Sequence, residues 1–309
     1  MKARKVVSLA VLGILTATLL AGCGSKAKDA ETAAKPATEE ATTEEVTTED
    51  TTAEETTEAA DTDSEKKDVV VIKGIADLVP HSELIEFVKP KLLEQGIDVE
   101  LVATAADDTT NEKTEKGEID FNFFQHEPYL ESQNEANGFH LVNVGDIHVE
   151  PITAYSDKYK TKEEIPDKAV VAIPNDGTNE YRALRILEQN GFIKLNEETA
   201  STLTASLADI SEYVKPIEIV EIDSRQIIPT KDDYDFFITN TNKALEAKIT
   251  SARLFSEGSD SPYANIIVTR EDNKDNPAIL ALVKELQSDD TKKFIEEKYN
   301  GAVIPAKLD

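Results

Sequence analysis

The chain has 309 residues, a formal net charge of −28, 39% hydrophobic residues and a single cysteine. Its length suits about two globular domains. The acidic balance argues against nucleic acid as a partner, because a phosphate polyanion needs a basic face. One cysteine excludes an intrachain disulfide framework and any cysteine-rich zinc site.

Residues 1–5 are basic through Lys2, Arg4 and Lys5, and residues 6–20 form an uncharged, mainly apolar run. A run of 15 residues is short for a membrane span of roughly 20 and fits a secretory signal. Cys23 follows Leu20-Ala21-Gly22 directly, which resembles the bacterial lipobox. The resemblance implies that Cys23 receives diacylglyceryl and palmitate-type acyl chains and anchors the mature protein at the outer face of the cell membrane. Several chains hold durably where one would not. The other reading is a soluble secreted protein with an incidental cysteine. Residues 24–67 carry fourteen acids against five lysines, no aromatic residue and Val46 as their one branched aliphatic. Such a segment cannot repay its ordering entropy and is expected to be a disordered tether. As a coil it would average roughly 35–40 Å end to end. A specific acidic binding tail is the alternative.

From residue 68 onward the pattern changes to strands and helices in alternation. Residues 69–72 read as a buried strand and 74–79 as a loop. Ser82 is expected to cap a helix with Leu84, Ile85, Val88, Leu92 and Leu93 on one side, closed by Gly96. Strands are predicted at 97–102, 119–124, 141–144, 169–173, 217–222, 235–239 and 265–269, and helices at 127–137, 179–189, 277–287 and 291–299. The alternation predicts open α/β sheets with mostly parallel strands, whose ligands sit outside the carboxyl ends of strands.

Four stretches carry a resemblance to a known family. They are Asn122-Phe123-Phe124-Gln125-His126-Glu127-Pro128-Tyr129-Leu130, the run from Ala172 through Pro174-Asn175-Asp176-Gly177 to Leu184, Asp232-Asp233-Tyr234-Asp235 with Ile238-Thr239-Asn240-Thr241-Asn242, and the run from Ser261 to Asp272. In this order they resemble the NlpA/MetQ family, the methionine-binding lipoproteins of ABC importers. The resemblance spans about 68–309. It implies a type II periplasmic-binding-protein fold, with lobe one at 68–152 and 266–309, lobe two at 153–265, and hinge crossings near 151–156 and 261–265. It also implies an amino-acid ligand, most simply methionine, and an ABC permease with its ATPase as partners.

A free amino acid offers a carboxylate, an ammonium and a side chain. Arg182, in the first turn of its helix, falls on the family's carboxylate-binding arginine. A guanidinium fork suits a carboxylate, and a helix start adds a favourable dipole. Without the resemblance, Arg182 reads first as a surface arginine paired with Glu180 or Asp176. Asn240 and Asn265 match positions that contact the ligand's polar end, although asparagines after strands are commonly turn residues. Phe124, His126 and Tyr129 match the cluster that encloses a thioether, a group that favours aromatic edges. His126 invites a zinc reading, but the four histidines (His81, His126, His140, His148) show no metal-type spacing, and neither metal nor other cofactor is expected. Asp107 stands where the family usually has an aromatic, and Lys243 replaces a usual tyrosine. Asp107 either lines the pocket, favouring a more polar amino acid or a short peptide, or lies in solvent. No nucleophile elbow, phosphate loop or Ser/His/Asp constellation is apparent, so no enzyme is expected. A surface adhesin remains the third reading.

Overall fold

The computed structural model describes residues 69–107, 109–201, 205–258 and 261–307. The leader, Cys23 and the expected tether lie outside them. In chain order the elements are β1 (Val70–Ala76), α1 (Glu83–Glu94), β2 (Ile97–Ala103), α2 (Thr110–Glu115), β3 (Phe121–His126), α3 (Glu127–Asn137), β4 (Leu141–Val149), β5 (Thr153–Ser156), β6 (Val170–Pro174), α4 (Gly177–Gln189) and β7 (Ile193–Leu195). There follow β8 (Ile210–Tyr213), β9 (Glu218–Ile222), α5 (Ser224–Ile227), β10 (Phe236–Thr239), α6 (Thr241–Glu246), β11 (Ala252–Ser256), β12 (Ala264–Arg270), α7 (Pro277–Leu286), α8 (Asp289–Tyr299) and β13 (Ile304–Pro305).

The strands build a six-stranded sheet in the order β13-β4-β12-β3-β1-β2, a five-stranded sheet in the order β11-β5-β10-β6-β9, and a small antiparallel pair of β7 with β8. In the first, β1 pairs in parallel with β2 and β3, while β12 runs antiparallel between β3 and β4. In the second, β6 is parallel to β9 and β10, and β5 is antiparallel to β10 and β11. The expectation of mostly parallel pairing is therefore corrected to mixed sheets. In the first sheet the cause is β12, which returns antiparallel between β3 and β4 after the strands of the second sheet; in the second it is β5, antiparallel to β10 and β11. Because Thr153–Ser156 is already a strand of the second sheet, the first connection is confined to Glu150, Pro151 and Ile152.

Each sheet has its own apolar core. On the first, α1 lays Leu84, Ile85, Val88 and Leu92, all fully buried, against Phe121, Phe123 and Ile279. Fully burying one such side chain contributes about 1.5–3 kcal/mol. Leu93 does not join them: it is 56% exposed, because it sits about half a turn from the stripe centred on Val88. Ser82 does not cap α1 either. It already has helical backbone angles, and its hydroxyl donates to the carbonyl of Leu78 within a wide turn at Leu78–Ser82. Strand β1 runs on through Ala76, where a loop was expected, and at Gly74 the ring of Phe121 lies where a Cβ would stand.

On the second sheet, α4 buries Tyr181, Ala183, Leu184, Ile186 and Leu187 against Val171, Ile173 and Phe236. The short helix α2 was not expected, since Thr-Asn-Glu-Lys-Thr-Glu has no apolar period. It is held instead by buried polar groups. Asn111 bonds Gln125, and Asn122 donates to Asn111 and to Thr114 at 3.1 and 2.7 Å.

Candidate functional site

A cavity of about 260 Å³ lies between strand and helix ends of the two sheets. Asp77 and Phe124 come to it from the first sheet's elements, Asn175 and Asn240 from the second's, and Glu150 from the connection between them. Of the residues singled out from the sequence, Asp107, Phe124, His126, Tyr129, Asn240, Lys243 and Asn265 line it. Arg182 does not.

The aromatic group forms because β3 passes directly into α3. His126 is the N-cap of α3, and its Nδ1 accepts from the backbone N–H of Tyr129 at 3.2 Å. That bond fixes the tautomer: Nδ1 accepts, so Nε2 carries the proton and donates toward Asn179 Oδ1 at 3.4 Å. Burial, aided by the positive charge of Arg182, lowers the His126 pKa to about 3. The ring is therefore a neutral donor at ordinary pH. Tyr129 meets Phe124 and His126 edge-on, each at 6.2 Å between centroids, and Tyr263 stands 5.0 Å from His126.

Asn179 escaped the sequence reading and is the hub of the polar wall. Asp176 caps α4 by accepting from the Asn179 backbone N–H at 3.0 Å and also takes the Asn179 amide group. So held, Asn179 Oδ1 faces Asn240 Nδ2 at 2.9 Å, Arg182 Nη1 at 3.2 Å and His126 Nε2. Arg182 is 2% exposed. Its fork, assigned from the sequence to a ligand carboxylate, is bonded instead to the chain's own Glu257, at 3.1 Å from Nε and 2.6 Å from Nη2, and to the carbonyl of Glu150 at 2.8 Å. Its charge lies behind Asn179 and His126, stacked on Tyr263 at 4.4 Å.

Asp107 is exposed on the cavity rim, where its carboxylate takes the Thr109 N–H at 2.9 Å and the Thr109 hydroxyl at 2.6 Å. These bonds, the hydroxyl first, hold its pKa below the usual carboxylate value. Lys243, expected from the sequence to stand where a tyrosine is usual, has a counterpart. It lies 3.1 Å from Asp77, which is buried and also accepts from Asn242 Nδ2 at 2.7 Å and the Ala106 N–H at 2.6 Å. Asn265 sits on β12 opposite His126 and His148, with Oδ1 3.1 Å from His81 Nε2. Glu150 was also missed. It is 3% exposed, accepts from the Asn242 N–H at 2.9 Å, and burial raises its pKa. A pocket with an aromatic corner, an amide wall and paired charges can enclose a small zwitterion with an apolar or mixed side chain.

The NlpA lipoprotein family matches residues 72–307. The D-methionine-binding lipoprotein MetQ of Salmonella typhi is 39% identical over 246 residues, covering 78% of this chain and 90% of its own. Among solved structures, a lipoprotein from Ruminococcus gnavus shares 42% identity at a TM-score of 0.73, over 77% of this chain and 99% of its own. A nutrient-binding protein from Burkholderia cenocepacia, bound to methionine, shares 34% at 0.71, over 76% and 100%.

Proposed function

Because the chain belongs to the NlpA lipoprotein family, we propose that it is the solute-binding lipoprotein of an ABC importer and that it captures methionine between two lobes. The observation that carries this reading is the convergence of Phe124, His126, Tyr129, Asn240 and Asn265 on one cavity of about 260 Å³, close to the small end of the roughly 300–1,000 Å³ range of ligand pockets. Lobe one takes 68–152 and 266–309, and lobe two takes 153–265. The aromatic corner holds the thioether side chain. The amides of Asn240 and Asn265 meet the polar end, with Asn179 beside them and Arg182 supplying positive charge from behind. Binding shifts the population toward a closed form that docks on a permease driven by its ATPase. Cys23 anchors the molecule to the membrane by lipid and 24–67 tethers it. No described helix is long and apolar enough to cross a membrane. The ligand leaves chemically unaltered, so the protein binds and does not catalyse.

A second reading, a more polar amino acid or a short peptide, draws on the carboxylates of Asp77, Asp107, Glu150, Asp176 and Asp223 around the cavity. A thermal-shift screen of the full chain against the twenty amino acids and their D-forms separates the two, since a ligand held by the folded state alone raises the melting temperature. Methionine is expected to give the largest shift, with mass spectrometry returning it intact. No shift with any amino acid would overturn the receptor reading, and a larger shift with a polar or cationic one would replace methionine.

A further inference from the structure

Beneath the cavity lies a cluster whose two histidines the amino-acid binding reading does not use. His81 comes from the turn before α1, His148 from the end of β4 and Glu150 from the connection that follows it. Both imidazoles are fully buried and Glu150 is 3% exposed. His148 Nε2 lies 2.8 Å from Glu150 Oε1, and His81 Nε2 lies 3.5 Å from the same oxygen. Across the three residues the donor atoms stay within 4.8 Å of one another. Neither Nδ1 has a hydrogen-bond partner, so the hydrogen bonds of both rings run through Nε2. A fourth donor, Asn265 Oδ1, stands 3.1 Å from His81 Nε2.

We propose that His81, His148 and Glu150 form a binding site for a divalent cation of the zinc class. Two imidazole nitrogens and one carboxylate oxygen are a donor set that zinc takes readily, with a fourth position left for Asn265 or water. Zinc–nitrogen bonds of about 2.0–2.1 Å put tetrahedral donors about 3.3 Å apart; the separations of Glu150 from each imidazole, 2.8 and 3.5 Å, and of Asn265 from His81, 3.1 Å, bracket that spacing, and the two imidazoles stay within 4.8 Å. Glu150 is oriented from outside the cluster by the Asn242 N–H at 2.9 Å, the outer support that a ligating carboxylate usually has. Glu150 and Asn265 also line the cavity, which gives the ion a way in. A bound cation would offset the buried negative charge of Glu150. It would also tie the turn before α1 to the point where the chain leaves the first sheet.

The test uses the full chain in detergent, stripped with chelator and titrated with zinc chloride by calorimetry. One saturating ion per chain is expected. His148→Gln and His81→Gln should each weaken it by more than the roughly 10- to 100-fold that loss of an outer-shell partner costs. Binding that survives both substitutions unchanged would assign the zinc to acidic groups elsewhere and overturn the site, as would no saturable binding. Cobalt loading of the unsubstituted chain decides the question even where a variant fails to fold. Intense visible bands of a four-coordinate ion support the site, and the faint bands of a six-coordinate one sink it.

Discussion

Asn179 shows how much of a site one amide can organise. Its Oδ1 meets donors from β3 (His126), α4 (Arg182) and the residue before α6 (Asn240). Asn179→Ala strands those donors, and each unsatisfied buried group costs about 1–3 kcal/mol. Ligand affinity by calorimetry should fall by roughly 10- to 100-fold, with the fold intact by circular dichroism; an unchanged affinity would take Asn179 out of the binding wall. Arg182→Ala is expected to weaken binding as well, and to loosen the two connections that its fork joins through Glu257 and the Glu150 carbonyl. On the far side of α4, Glu180 is buried and faces Glu221; burial, then that neighbour, pushes its pKa up to about 8. A carboxyl whose pKa rises on folding stabilises the folded state while it is protonated, and the stabilisation is lost as pH climbs through the folded value. Melting temperature should therefore fall between about pH 5 and pH 8, and Glu180→Gln should flatten that slope. Equal slopes in parent and variant would put the pH response elsewhere. The aromatic corner was legible because Phe124, His126 and Tyr129 lie together in sequence. Asn179, Glu150 and Glu257 were not. Their partners lie up to 105 positions away, as in the bond from the Ile152 N–H to Glu257, and no local pattern records such a meeting.

Most elements were legible where apolar period and burial coincide, as in α1 and α4. The failures share a cause. Helix α2 and its contacts are polar, so hydrophobic spacing could not reveal it, and Leu93 is apolar but off the stripe. The pair makes a test of the packing account. Leu84→Ala should lower the unfolding free energy by about 2–5 kcal/mol, whereas Leu93→Ala should stay within about 0.5 kcal/mol. Denaturant melts giving similar losses for both would mean that the two faces of α1 are not distinguished as described. The mixed sheet order was hidden for a different reason. Strand signals give no pairing partner, and β12 is separated from its neighbours β3 and β4 by the whole second sheet.

At the scale of the molecule, Asp77 and Lys243 join the end of β1 to α6 across the two sheets, with only 3% and 18% of their side chains exposed. Removing one partner of a buried pair leaves an uncompensated charge, at a cost of about 3–5 kcal/mol. Lys243→Met should weaken the protein on that scale in denaturant melts, and adding Asp77→Asn should recover part of the loss. Strictly additive effects would show that the two do not act as a pair. Lys243 is thus matched by a carboxylate 166 positions away, a pairing that no single position could announce.

The late arrival of β12 has a consequence for how the chain comes into being. The five strands of the second sheet all lie between residues 153 and 256, with no strand of the first sheet among them. The first sheet, begun earlier, lacks its interior strand until residues 264–270 follow. During synthesis from the amino terminus, the half that starts second is the one able to finish first. The half that starts first must wait with an unfilled slot between β3 and β4, its edges open to wrong partners. Amide protection in a nascent or refolding chain should accordingly mature in β6 and β10 before it matures in β3 and β4.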